Sequence, residues 1–141
     1  MFYGDTIEET RGLFFNSWDK YQQNKPLLPL ENEIVQVILA HPEYHNILEN
    51  HNQFQHQTYF PELGATNPFL HMGLHLAIRE QVATDRPVGI NIVYKKLVKK
   101  YGDLLTVEHL MMDQLAECLW RSQKNNLPPD EHYYLNTLAN L

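Results

Sequence analysis

The chain has 141 residues, a net charge of -6 at pH 7 and a pI near 5.7, with no basic run longer than two lysines. This charge gives no electrostatic support for nucleic-acid binding, and no stretch approaches the roughly 20 apolar residues of a membrane span. Residues 1–5 lack the basic start and apolar run of a signal peptide. With Cys118 as the single cysteine, we expect one cytoplasmic domain over residues 1–141, without a nucleic-acid or membrane partner.

Apolar spacing in the first third of the chain predicts two helices. Aromatic and aliphatic residues recur at helical spacing over residues 7–21, and two prolines then separate this stripe from a second apolar helix over residues 31–40. Arg11 lies inside the first stripe. It either lays its stem along the core edge with its head in water, or it meets a buried acidic group.

The segment after the second helix contains the first pair of histidines. Pro42 removes a backbone donor and predicts a kink or a fresh helical start. If the helical phase continues through this point, His41 and His45 lie on one face, together with the apolar residues of the second helix. Residues 50–66 follow and are predicted as a loop, which is either a lid or a connector.

The remaining chain predicts four more helices. Asn67-Pro68 is a helix start, and that helix extends to about Thr84. Further helices are predicted over residues 90–101, 104–123 and 131–138, separated by proline or glycine. The short connections favour antiparallel neighbours. We therefore predict an all-α protein, an up-and-down helical bundle of about six helices.

Five side chains on predicted buried faces suggest a metal site. They are His41, His45, His71, His75 and Glu108. The helix that begins at Asn67 is apolar almost all round, and a pair of histidines four residues apart shares one helical face. Composition alone predicts about 0.4 such pairs, whereas the chain has two. Imidazole and carboxylate are the ligands of catalytic zinc and non-haem iron, so we predict an iron or zinc site formed by these residues.

A metal-free reading accounts for the same pattern. The histidines could form a structural hydrogen-bond network in an interaction or scaffold protein, with Glu108 paired to Arg11 or to a histidine. A homo-oligomer that uses the tyrosine-rich last helix is compatible with either reading. The sequence assigns no catalytic residue. If the protein is an enzyme, metal-activated water or dioxygen chemistry is the expected class.

Four blocks of the sequence resemble a bacterial family known only as a domain of unknown function, number eighteen forty-one. The blocks are residues 41–45, 67–75, 108–112 and 128–131. The resemblance covers nearly the whole chain and is most specific over residues 67–81. It implies no activity, but all of the predicted ligands lie within these blocks.

The predicted architecture is also similar to that of metal-bearing helical bundles of the hemerythrin-like and DinB-like kinds. The hemerythrin combination of a His-x-x-x-Glu with a His-x-x-x-x-Asp in matching helices does not occur here. A three-histidine site of the DinB-like kind needs only one His-x-x-x-His pair and one further histidine. His71 and His75, with either His41 or His45, could supply these ligands. This similarity is one of architecture and does not by itself imply a function.

Overall fold

A computed structural model of the chain describes residues 7–59 and 67–141. These residues form eight α-helices, one 3-10 turn and no β-strand, so the predicted all-α helical-bundle class is confirmed. The helices are α1 Ile7–Gln22, α2 Pro29–Leu39, α3 His45–Glu49, α4 His51–Phe54, α5 Pro68–Thr84, α6 Ile90–Tyr101, α7 Leu104–Asn125 and α8 Glu131–Ala139, with the 3-10 turn at Pro42–Tyr44. The count exceeds the predicted six because α3 and α4 are too short to show a helical period.

The chain divides into two compact units, Met1–Leu76 and Ala77–Leu141. In the first unit α1 packs on α2 and α3, and in the second α6 packs on α7 and α8. The division falls within α5. Among the described residues, no helix is both long enough and apolar enough to cross a membrane.

The core of the first unit consists of aromatic residues from α1 packed against aliphatic residues from α2. The Phe15 ring is fully buried, lies 5.4 Å from the Phe69 ring and stacks on His51 at 4.3 Å between centroids. The aromatic stripe in the sequence predicts a buried helix face, and these ring contacts form part of that face. The buried members are Phe14, Phe15, Trp18, Ile34, Val35, Val37, Ile38, Leu48, Phe69, Met72 and Leu76.

Arg11 is buried in a way that neither sequence interpretation anticipated. Only 6% of the residue is exposed, and Nη1 donates to the backbone carbonyls of Gln55 at 3.1 Å and Gln57 at 2.8 Å. These carbonyls follow α4, which occupies part of the stretch that the sequence predicts as a loop. The prediction of a loop is therefore wrong for residues 51–54. Residues 60–66 of the same prediction lie outside the described residues.

Glu31 connects the start of α2 to the end of α1. Its Oε1 accepts a hydrogen bond from the Leu28 amide at 2.8 Å, and its Oε2 lies 2.7 Å from Lys20 Nζ. The ammonium group of Lys20 and the Leu28 amide together lower the pKa of the Glu31 carboxyl, outweighing the opposing effect of burial. A lowered folded-state pKa means that the charged carboxylate stabilises the fold.

Replacing Glu31 with glutamine is expected to lower the free energy of unfolding by about 1 kcal/mol at pH 7. The difference between wild type and variant should be complete above about pH 4.3, the ordinary glutamate value, and should vanish as the pH falls through the lowered pKa. Urea unfolding of both proteins across this pH range measures the difference in the free energy of unfolding. The control is Glu117→Gln, which removes an exposed ion pair with Arg121 and should change little. Equal effects of the two variants would contradict this prediction.

Helix ends in the second unit occur where the sequence signals predict them. α6 ends at Tyr101 and is followed by Gly102 in the left-handed region, with φ of 75°. The Asp103 side chain then accepts from the Thr106 amide and caps α7. These local signals confirm the predicted boundary between the two helices.

Candidate metal centre

The start of α5 fixes the position of the second histidine pair. The Asn67 side-chain oxygen accepts hydrogen bonds from the amides of Phe69 at 3.0 Å and Leu70 at 3.2 Å, so Asn67 caps the helix as predicted. His71 and His75 follow on the same face, one turn apart. His75 is fully buried, whereas His71 is half-buried.

His41 lies just beyond the end of α2 and is 3% exposed. Its Nδ1 is 2.8 Å from the carbonyl oxygen of Val37, one turn earlier. A carbonyl can only accept, so Nδ1 is the protonated nitrogen. In the neutral ring, the lone pair is therefore on Nε2. A backbone carbonyl that orients a histidine in this way is the usual support of a metal-binding imidazole.

Three imidazole nitrogens converge at His41. His41 Nε2 lies 3.1 Å from His71 Nε2 and 3.5 Å from His75 Nδ1. The His41 ring is nearly perpendicular to both other rings, with interplanar angles of 85° and 89°. We call His41, His71 and His75 the histidine cluster. All three belong to the first unit. Possible ligand atoms of His41 and His71 lie within 4.8 Å of each other.

Tyr44 covers one side of the histidine cluster. Its ring stacks on the His41 ring at 5.5 Å between centroids and meets the His71 ring edge-on at 5.9 Å. Burial, and secondarily the charge of Glu43, raises the pKa of the Tyr44 hydroxyl. The phenol therefore stays protonated at neutral pH and acts as an aromatic cover for the imidazoles.

His45 takes a position apart from the cluster. His41 has a non-helical backbone, with φ of -128° and ψ of 68°, and the 3-10 turn Pro42–Tyr44 separates α2 from α3. The helical phase is therefore not kept through Pro42. The His45 ring lies against Trp18 at 4.6 Å, and its Nε2 is 2.8 Å from the Ile38 carbonyl. This histidine satisfies a carbonyl at the end of α2.

Glu108 is held by partners in the second unit. It lies on α7 with 7% of the residue exposed, and its Oε1 is 3.3 Å from Arg79 Nη2. A hydrogen bond also links it to the Tyr94 hydroxyl. Burial, followed by the charge of Glu108, raises the pKa of Tyr94, so the phenol is the donor in this pair. A guanidinium and a phenol therefore satisfy this carboxylate.

Three of these features escaped the sequence interpretation. The Val37 carbonyl and the Tyr44 ring support His41, and Arg79 is the partner of Glu108. The spacing of four residues between Val37 and His41 at a helix end could have indicated the first. Sequence spacing does not indicate the contacts made by Tyr44 and Arg79, because these contacts depend on packing between helices.

Comparison with known proteins gives one family match. A family model described as "Domain of unknown function (DUF1841)" matches residues 6–140. No curated protein and no solved structure matches the chain.

Proposed function

Since the chain belongs to the DUF1841 family, whose description gives no function, we propose from the geometry that the histidine cluster binds one divalent metal ion. The ligands in this proposal are His41 Nε2, His71 Nε2 and His75 Nδ1. The observation that carries the proposal is the approach of His71 Nε2 and His75 Nδ1 to Nε2 of the buried His41, at 3.1 Å and 3.5 Å respectively.

The nitrogen separations fit the coordination sphere of a small ion. At a metal–nitrogen bond length of about 2.05 Å, they correspond to angles of about 98° and about 117° at the metal. These values lie on either side of the tetrahedral angle of about 109°. The separation within each of these two nitrogen pairs therefore matches coordination to one ion.

A metal-free hydrogen-bond network is the second candidate. His71 Nε2 could donate to His41 Nε2 at 3.1 Å, and His41 Nδ1 donates to Val37. The weakness of this reading is that His41 Nε2 has a single lone pair, while His75 Nδ1 also faces it at 3.5 Å. An ion would use the lone pairs of all three nitrogens at once.

Zinc suits this ligand set better than iron. Three neutral imidazoles with a fourth position for water make a common catalytic zinc site, whereas non-haem iron usually takes two histidines and a carboxylate. His45 and Glu108 are left out of the ligand set. The His45 ring interacts with the Ile38 carbonyl, and the Glu108 carboxylate pairs with the Arg79 guanidinium. The chemistry that such a zinc ion supplies is activation of a bound water near neutral pH.

Elemental analysis of the protein purified without an affinity tag tests the proposal. We expect about one zinc or iron per chain, and loss of that metal in His71→Ala. Adding zinc to the metal-free protein at 100 times its Kd should raise the free energy of unfolding by about 2.7 kcal/mol.

A protein that contains no metal and is not stabilised by added zinc would support the hydrogen-bond network instead. Nitrogen NMR provides a second readout, because a network requires a proton on His71 Nε2 and coordination requires a lone pair there. The matched control is His132→Ala, which replaces an exposed histidine of α8 and should leave the metal content unchanged.

The proposal includes a cytoplasmic location. It is supported by Cys118, the sole cysteine, which is buried and suits a reducing compartment. The net charge of -6 supports the absence of a nucleic-acid partner.

A further inference from the structure

Two of the three proposed ligands come from segments that are far apart along the chain. His41 follows α2, and His71 lies on α5, 30 residues later. Their Nε2 atoms are nevertheless 3.1 Å apart, with 4.9 Å between the ring centroids. A metal site binds more tightly when folding has already brought its ligands together, because ordering them then costs nothing at the moment of binding. A side chain that contacts both imidazoles would fix this spacing.

Tyr44 contacts both of these imidazoles. Its ring is nearly parallel to the His41 ring, with an interplanar angle of 12° and 5.5 Å between centroids. It meets the His71 ring edge-on, at 75° and 5.9 Å. Stacked and edge-on pairs are both favourable arrangements of aromatic rings, and each contributes more than the area it buries. The Tyr44 ring therefore connects a ligand that follows α2 to a ligand on α5.

The backbone fixes the position of Tyr44 relative to His41. The Tyr44 amide donates to the His41 carbonyl at 3.0 Å, and Tyr44 is the last residue of the 3-10 turn that begins at Pro42. Proline has a fixed φ, which stiffens this turn. The Tyr44 side chain is also half-buried and packs against the core of the first unit. The ring thus has a defined position before any ion binds.

The ring of Tyr44, rather than its hydroxyl, makes the contacts with the imidazoles. Burial, followed by the charge of Glu43, raises the pKa of the hydroxyl. The phenol therefore keeps its proton at neutral pH and adds no negative charge beside the imidazoles. Since phenylalanine has the same six-membered ring, Tyr44→Phe distinguishes an effect of the ring from an effect of the hydroxyl.

We propose that Tyr44 is a positioning residue, whose ring holds the imidazoles of His41 and His71 at the spacing that a metal ion requires. The inference rests on the proposed metal binding, but the positioning is a property of the metal-free protein. Tyr44 is not itself a ligand. Its removal leaves all three ligands in the chain and allows the His71 ring to move away from His41.

NMR of the metal-free protein provides the first test. A nuclear Overhauser effect between the His41 and His71 rings should be present in wild type and in Tyr44→Phe, because the ring centroids are 4.9 Å apart. It should be lost in Tyr44→Leu, which keeps an apolar side chain at this half-buried position. Equal effects in all three proteins would overturn the proposal. So would the absence of an effect between Tyr44 and His71 in wild type, even if Tyr44→Leu did not fold.

Zinc affinity provides the second test. Tyr44→Leu should weaken zinc binding about tenfold, the lower end of the loss seen for groups that support metal ligands. Tyr44→Phe should bind zinc as tightly as the wild type. The matched control is Tyr21→Leu, which removes a ring that stacks on Trp18 at 5.4 Å and should leave the zinc affinity unchanged.

The two tests separate this inference from the proposed function. A wild type that binds no zinc would contradict the proposed function, and the NMR comparison would still decide whether Tyr44 holds the two imidazoles together. Equal zinc affinity in wild type and Tyr44→Leu would overturn the role of Tyr44 and leave metal binding in place. Equal weakening in Tyr44→Phe and Tyr44→Leu would also overturn it, because the hydroxyl would then be responsible.

Discussion

Replacing His41 with alanine is expected to weaken metal binding by more than about 100-fold. Loss of a supporting group outside the ligand shell already costs 10- to 100-fold, and His41 is a ligand in our proposal. The substitution also removes the donor to the Val37 carbonyl at 2.8 Å. Metal content after dialysis, and the Kd of the metal-free variant for zinc, measure the effect.

The control is His45→Ala, which removes the other histidine of the same His-x-x-x-His pair. It eliminates the ring against Trp18 and the hydrogen bond to Ile38, so it should lower stability while leaving the metal bound. Equal metal loss in His41→Ala and His45→Ala would contradict the ligand set. Retention of metal in His41→Ala would contradict it more directly.

Replacing Glu108 with leucine is expected to lower the free energy of unfolding by about 2 kcal/mol, within the range for hydrogen bonds to a charged group. The variant leaves the Arg79 guanidinium, whose side chain is 29% exposed, without its carboxylate. It also removes the acceptor of the Tyr94 hydroxyl. Urea unfolding at pH 7 provides the measurement.

The double variant Arg79→Met with Glu108→Leu is the informative comparison. Replacing both charges by apolar groups of similar size should restore most of the stability, because no uncompensated charge remains. Losses that simply add in the double variant would show that the two side chains do not stabilise each other. Glu108→Leu should also keep its metal, since our ligand set does not include Glu108.

Helix boundaries were the most predictable part of this fold, because they depend on local chemistry. Asn67 followed by Pro68 marks the start of α5, and Gly102 marks the end of α6. Each signal acts within a single turn of helix. The pair His71 and His75 was predictable for the same reason, since four-residue spacing places two side chains on one face of a continuous helix.

The partners of the polar side chains were not predictable, because they depend on contacts between distant segments. The position of His45 depends on Pro42, where the helix is interrupted. Because of this interruption, His41 and His45 contact different neighbours. Arg11 pairs with carbonyls more than 40 residues away. Local periodicity contains no information about which of several distant groups will meet a buried charge.

The cap at Asn67 has a consequence for how the proposed ligands are encoded. Because Asn67 sets where α5 begins, inserting or deleting one residue between Asn67 and His71 would turn both imidazoles by about 100° around the helix axis. Every ligand would still be present in such a sequence, yet the nitrogens would no longer meet His41. The distance along the chain from cap to first histidine is thus as much a determinant of the centre as the histidines themselves.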